Sequence, residues 1–291
     1  MATSPTETEY LIVISEVDPV AVRVAEQWGP LESIGEHIDG AAVRRLGPRT
    51  LVLGRAAHHI HDDDLDARLP SVVRDRRPTI VFPSIHRSAQ NIPCITAHPV
   101  GNPGPSADFG GRPRTLCPSD PRSMTSVLRS LAESSSRSGL SATYESTHHG
   151  PALGLPTFFV EIGYGADPEP PSGAVAAIAD ALREIRPDPA DRVALAVGGG
   201  HYAPHFSELA LARRWAFGHI LSRHALDSLD RATAAEAYRG TPGSEGILFA
   251  RAQDAGLAVF ESLGPRLREA EAPLFEAARG ASTRGAGPSG T

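Results

Sequence analysis

From Arg192 to Val197 the chain reads Arg-Val-Ala-Leu-Ala-Val, and it empties into Gly198-Gly199-Gly200 followed by His201 and then His205. That apolar run has the length and composition of a strand buried on both faces, so it has to be covered from two sides. Glycines at its end remove every Cβ and let backbone approach a ligand closely. The histidines at the mouth are compatible with binding a metal, moving a proton, or filling space in an ordinary glycine turn.

The rest of the chain alternates strand-like and helix-like stretches. Tyr10 to Ile14 is a short apolar strand, and Asp18-Pro19 then supplies an N-cap and first turn for a helix to about Trp28. Thr50–Leu53, Pro78–Phe82 and Pro93–Ala97 read as strands, with a surface helix and loop from His61 to Arg77. Asp120-Pro121 opens an amphipathic helix that aligns Met124, Val127, Leu128 and Leu131. Strands follow at Leu140–Thr147 and Pro156–Gly163, helices at Pro171–Ile185 and Phe206–Arg213, and an Ala-rich helical stretch from His224. The pattern predicts one α/β domain over residues 10–279, three-layered, with a mostly parallel twisted sheet and helices on both faces. Ligands of such sheets sit at the carboxyl ends of strands. Residues 1–9 and the Gly/Ser/Pro-rich 280–291 read as disordered tails. The long Gly- and Pro-rich loop from His98 to Pro118 has the size of a lid or substrate wall.

Composition removes several function classes. The formal charge is −6 and all 28 basic residues are Arg, which argues against a surface that coats nucleic acid broadly. Local groups such as Arg44, Arg45 and Arg49, or Arg74, Arg76 and Arg77, are either phosphate contacts or solvated turns. Cys94 and Cys117 lie outside any Cys-x-x-Cys spacing, so a metal would fall to His and carboxylates. No apolar run approaches the ~18 residues of a membrane span, and Met1–Glu9 lacks an apolar signal core. A cytoplasmic monomer is expected. Gly198-Gly199-Gly200 does not continue into Gly-x-Gly-x-x-Gly, a chain without Lys has no P-loop, and no Gly-x-Ser-x-Gly elbow occurs.

Glu161 sits inside the apolar strand Thr157-Phe158-Phe159-Val160-Glu161-Ile162-Gly163, where a carboxylate needs compensation. It is either salt-bridged to an Arg, or a metal ligand, histidine orienter or general base. His148 and His149 are adjacent, so on an extended chain they point apart, but Gly150-Pro151 signals a turn. Glu145 and His149 share a face if the strand continues to Thr147. His86, His98, His148, His149 and His201 all follow strand-like runs, and a parallel sheet would bring several to one rim. Convergent histidines with a carboxylate suit Zn2+, whose bound water becomes a nucleophile near neutral pH; a metal-free general base is the alternative.

These residues lie in motifs that together resemble the archaeal and plant type of D-aminoacyl-tRNA deacylase. The motifs are Ser15-Glu16-Val17-Asp18-Pro19, His86-Arg87-Ser88, Gly101-Asn102, Gly110-Gly111 and Glu145-Ser146-Thr147-His148-His149-Gly150-Pro151. Phe159-Val160-Glu161-Ile162-Gly163, Gly199-Gly200-His201-Tyr202-Ala203-Pro204 and Ala216-Phe217-Gly218-His219-Ile220 complete the set, in the same order over about Tyr10 to Leu229. The resemblance implies a fold akin to peptidyl-tRNA hydrolases and phosphorylases, a zinc requirement, and hydrolysis of the ester joining a D-amino acid to tRNA. It does not locate the zinc ligands. His205 departs from the family, where a basic residue is usual.

The expected catalytic residues are His201, Glu161 and His149. The expected metal ligands are His86, Glu145, His148, His149 and His201. Substrate contacts are expected from His86, Arg87, Gly199, Gly200, Tyr202, His205, Arg112 and Arg114. The substrate is aminoacyl-tRNA or a small amino-acid ester or amide handled by a related biosynthetic hydrolase or acyltransferase. A noncatalytic tRNA-binding relative is the remaining reading.

Overall fold

A computed structural model of the chain describes residues 9–87, 93–165, 167, 169–250, 257–264 and 266–270. Of the expected tails, residues 1–8 and 280–291 lie outside the described residues. In chain order the elements are β1 (Tyr10–Ser15), α1 (Pro19–Glu26), β2 (Glu32–Ile38), β3 (Ala41–Arg45), β4 (Thr50–Arg55), α2 (Ser71–Arg74), β5 (Thr79–Ile85) and β6 (Cys94–Pro99). Next come β7 (Gly101–Asn102), β8 (Thr115–Leu116), α3 (Pro121–Glu133), α4 (Ser135–Ser138), β9 (Ser141–Tyr144), β10 (Thr157–Gly163), α5 (Ser172–Arg183) and β11 (Arg192–Val197). The chain continues through α6 (Pro204–Ala212), β12 (Trp215–Leu221), α7 (Arg223–Leu226), α8 (Arg231–Arg239), β13 (Ser244–Phe249), α9 (Leu257–Glu261) and β14 (Leu267–Glu269).

The α/β architecture is present, with its parallel strands divided between two sheets. The larger has the order β2-β3-β4-β1-β5-β10-β6-β9. Its centre, β4-β1-β5-β10, is parallel, while β6 runs antiparallel to β10 and β9 parallel to β6. The apolar run before the triple glycine is β11, which lies in a separate parallel sheet, β12-β11-β13-β14. The edge hairpin β2–β3 escapes the periodicity reading because only Ile38 and Val43 of its strand residues are buried. Its turn, Asp39-Gly40, has positive φ at both residues (49° and 85°), as tight hairpins require.

One apolar core joins the two sheets. It contains Ile12, Val81 and Val160 of the first sheet, Ala194 and Phe217 of the second, and Val24, Leu128 and Ile178 from α1, α3 and α5. The other face of the large sheet is covered by shorter pieces carrying Leu65, Leu69, Val73, Leu153 and Leu155. α8 and α9 close the second sheet with Ala234, Ala237 and Phe260. Among the described residues no helix is long and apolar enough to cross a membrane.

Asp18 shows how the start of the chain is locked. Its Oδ1 accepts the N–H groups of Val20 and Ala21 at 2.9 Å each, capping α1. Its Oδ2 accepts from Ser84 Oγ at 2.9 Å and Ile85 N at 3.0 Å, tying α1 to the end of β5. Asp18→Ala removes the cap and strands two buried donors. It is expected to lower unfolding free energy by about 3 kcal/mol in urea denaturation, with Asp18→Asn losing less. A cost below about 1 kcal/mol would show that the bonds are replaceable by water.

Candidate active site

Strand register alone assembles the first half of the site. Side chains alternate across a strand, and directly paired residues share a face. Phe159 of β10 pairs with Phe82 of β5 and His98 of β6, and Glu161 pairs with Ser84 and Thr96. One face therefore carries Phe159, Glu161, Thr96 and His98, with His86 two residues beyond Ser84. Thr96 pairs in turn with Thr143 of β9, which brings Glu145 onto the same face two residues later. His98 was read as following a strand; it lies within β6 and is fully buried.

The expected strand to Thr147 stops at Tyr144, because the next residues bond across to the second sheet. Ser146 N donates to His201 O at 2.8 Å, Thr147 N donates to Ile220 O at 2.7 Å, and Ala203 N donates to Tyr144 O at 2.9 Å. The segment from Glu145 to His149 is thus a strap across the seam between the sheets. His149 itself supplies the turn, with φ +44° in the left-handed region, so both histidines reach the same side. On the other side Gly198 and Gly199 turn the end of β11 with φ of 105° and 81°. Gly198 N donates to Leu221 O at 2.8 Å, and the turn presents His201 across the strap.

The result is a packed cluster of imidazoles around two buried carboxylates. Ring centroids are 4.1 Å apart for His98 and His148, 4.4 Å for His148 and His149, and 4.7 Å for His148 and His201. Phe159 is the floor, stacked under His98 at 5.3 Å and edge-on to His149 at 4.8 Å. Glu161 Oε2 accepts from His86 Nδ1 at 3.0 Å, and His86 Nε2 accepts from Tyr202 Oη at 3.0 Å. Glu161 Oε1 lies 3.8 Å from His98 Nε2 and 3.9 Å from His149 Nε2. Glu145 faces His86 Nδ1 at 3.2 Å, His201 Nε2 at 3.6 Å and His148 Nε2 at 3.7 Å.

The tautomers are fixed by the backbone. His98 Nδ1 donates to Pro99 O at 3.1 Å, His148 Nδ1 to Ser146 O at 2.7 Å, and His149 Nδ1 to Gly150 O at 2.7 Å. Each of the three therefore turns a bare Nε2 lone pair toward the carboxylates, the arrangement of imidazoles that ligate metal. Burial pushes His98 and His148 below the usual imidazole range, and their neighbours add to the effect at His148. His201 is pushed down to about 4 by burial and by His98 and His86. Burial would raise Glu161, but the N–H that His86 donates to Oε2, with His149 and His98 beside it, holds the group well below the carboxylate range. Glu145 is pushed well above that range by burial and by the Glu161 charge. Among the described residues, both Glu145 oxygens, His98 Nε2 and Thr96 Oγ1 are buried with no hydrogen-bond partner. Lone pairs and unpartnered carboxylate oxygens facing one another are costly unless a cation sits among them. Three donor sets lie within 4.8 Å of one another: His98, His148 and His149; His86, Glu145 and His201; His98, Glu145 and Glu161.

All five expected metal ligands, His86, Glu145, His148, His149 and His201, fall in these sets. His98, read only as one of the convergent histidines, and Glu161, expected as catalytic with a ligand role left open, join them as well. Glu161 bonds to imidazoles, and among the described residues no Arg is bonded to it. Tyr202 reaches the site through His86, and Arg87 is exposed one residue beyond His86. His205 stacks on Phe206 at 5.6 Å in the first turn of α6 and enters none of the three sets. Arg112 pairs with Asp64, and Arg114 donates to Ser228 O at 2.8 Å and pairs with Asp230 at 3.0 Å.

Residues 74–257 match the family described as D-aminoacyl-tRNA deacylase. A D-aminoacyl-tRNA deacylase of Thermoplasma acidophilum is 36% identical over 83% of this chain and 90% of its own length. That of Thermoplasma volcanium is 42% identical over 58% of this chain and 65% of its own. A crystal structure of a conserved protein of unknown function, AF0625, superposes with a TM-score of 0.77 at 25% identity, covering 91% of this chain and 96% of that one. With a family match over most of the chain and a relative of this identity along nearly its whole length, the chain belongs to the D-aminoacyl-tRNA deacylase family.

Proposed function

We propose that this protein hydrolyses the ester of D-aminoacyl-tRNA, releasing D-amino acid and tRNA, with Zn2+ held in the imidazole and carboxylate cluster. The observation that carries the reading is the convergence of three Nε2 lone pairs on two buried carboxylates, His98 and His149 on Glu161 at 3.8 and 3.9 Å and His148 on Glu145 at 3.7 Å. When bound there, zinc supplies a water acidified to pKa about 7 and polarises the ester carbonyl. The chain's own parts are separable. His98, His148 and His149 are held rigid by their carbonyl bonds, Glu161 orients His86, and Tyr202 fixes the far nitrogen of that ring. His201, whose side chain is 42% exposed, stands at the rim where it can take a proton from water or return one to the ribose oxygen. A cytoplasmic monomer is part of the same proposal.

The deciding experiment is turnover of D- and L-aminoacyl-tRNA by purified protein alongside metal analysis. Cleavage of the D-ester in preference to the L-ester, retained zinc, and loss of both zinc and activity on chelation are expected. Turnover that survives complete metal removal would overturn the metal-assisted reading.

Charge supplies a second test. Arg87 is exposed, and the pair of Arg112 with Asp64 is exposed on both sides, so it is weak enough to be exchanged for phosphate. Replacing Arg87, Arg112 and Arg114 by Ala together is expected to weaken tRNA binding and flatten its salt dependence by about one unit of log–log slope per lost contact. Hydrolysis of a D-amino-acid methyl ester should persist. Salt-insensitive turnover without tRNA binding would instead favour a small amino-acid ester as substrate, the reading the net charge of −6 supports.

A further inference from the structure

Phe109 is 70% exposed, the most exposed of the large apolar side chains among the described residues. Its backbone is fixed against the site. Phe109 O accepts from Gly150 N at 3.1 Å, and Gly150 follows His149 directly. Asn102 Nδ2 donates to Gly110 O at 2.8 Å on the next residue. A Cβ at Gly110 would stand 1.7 Å from Ile60 O, and one at Gly111 2.9 Å from Gly150 Cα. Both glycines have positive φ, so only glycine lets the loop lie this close. The loop therefore holds one aromatic ring in water on a rigid base at the edge of the cluster, and the exposed Arg112 guanidinium follows three residues later. A rigid exposed aromatic with a guanidinium nearby is how proteins hold unpaired nucleotides, since every base offers a face to stack.

We infer that Phe109 is the stacking platform for the base of the terminal nucleoside whose ribose carries the ester. The inference rests on the reading above, and adds a subsite for the nucleoside beside the hydrolytic centre. Seating the base on Phe109 would hold the neighbouring ribose ester over the cluster, so that part of the affinity comes from a group remote from the reacting bond.

The test compares Phe109→Ala, Phe109→Trp and the unaltered protein on three substrates: D-aminoacyl-tRNA, D-aminoacyl-adenosine, and a D-amino-acid methyl ester that has no base. Phe109→Ala is expected to raise KM about 10-fold or more for the first two, with kcat little changed and the methyl ester unaffected. Phe109→Trp should restore KM, and its fluorescence should be quenched by adenosine 5′-monophosphate. The two native tryptophans, Trp28 and Trp215, are 7% and 5% exposed and make a quiet background. If the unaltered protein cleaves no D-aminoacyl-tRNA, the proposed function fails. If it does cleave but Phe109→Ala matches it within about twofold, or loses the methyl ester equally, the stacking role is overturned.

Discussion

Glu161→Gln is expected to lower kcat/KM for D-aminoacyl-tRNA by about 10²-fold or more while the protein stays folded. Gln has the same shape, and its carbonyl can still accept from His86 Nδ1 at the 3.0 Å position of Oε2. What it lacks is charge. His86, His98 and His149 all bring ring nitrogens within 3.9 Å of this carboxylate, and among the described residues no guanidinium bonds to it. A neutral amide turns N–H toward the Nε2 atoms of His98 and His149, occupying the lone pairs that a cation needs. Bound zinc should therefore fall together with activity. A variant with normal specific activity per folded molecule and a lowered melting temperature would reassign Glu161 to structure.

His201→Ala is expected to cost about two orders of magnitude in kcat with little change in melting temperature. The ring buries little surface that the core depends on, since its side chain is 42% exposed, and the chain around it is held through backbone. Ser146 N bonds to His201 O, and that contact survives truncation. Lost activity would thus report the imidazole, which stands 3.6 Å from Glu145 and is the most exposed of the cluster's histidines. Near-normal turnover by folded His201→Ala would remove His201 from the chemistry and leave the buried histidines to carry it.

Much of this site was legible from residue types. A carboxylate in an apolar strand, two histidines before Gly-Pro, and a histidine after three glycines each mark a place where burial or backbone geometry is costly without a purpose. His98 was harder to place. It follows Cys94-Ile95-Thr96-Ala97, and nothing local says that the strand continues two residues further or that its neighbour is antiparallel. Only the pairing of His98 with Phe159 sets it on the Glu161 face. The arginines fared differently. Arg112 and Arg114 were expected at the mouth from loop position alone, but their partners Asp64 and Asp230 lie 48 and 116 residues away in the chain. Ion pairs of that separation are set by the fold, and no spacing rule anticipates them.

By itself the sequence determined elements such as β1, α1, β5, α3, β10 and β11, because apolar periodicity and caps such as Asp18-Pro19 and Asp120-Pro121 act over a few residues, but it missed β2, β3 and β12, and the stretch from His224 read as helical also holds β13 and β14. It also determined that any metal must rest on histidine and carboxylate. The tertiary structure alone decided that β11 belongs to a second sheet, and that the strap from Glu145 to His149 crosses between the two. Register alone decided which side chains share a face, since a slip of one residue would send Glu161 and His98 to opposite sides of the sheet. The difference is one of range: periodicity is a property of neighbours along the chain, whereas the hydrogen-bonded partner of a strand is chosen by burial summed over the whole core.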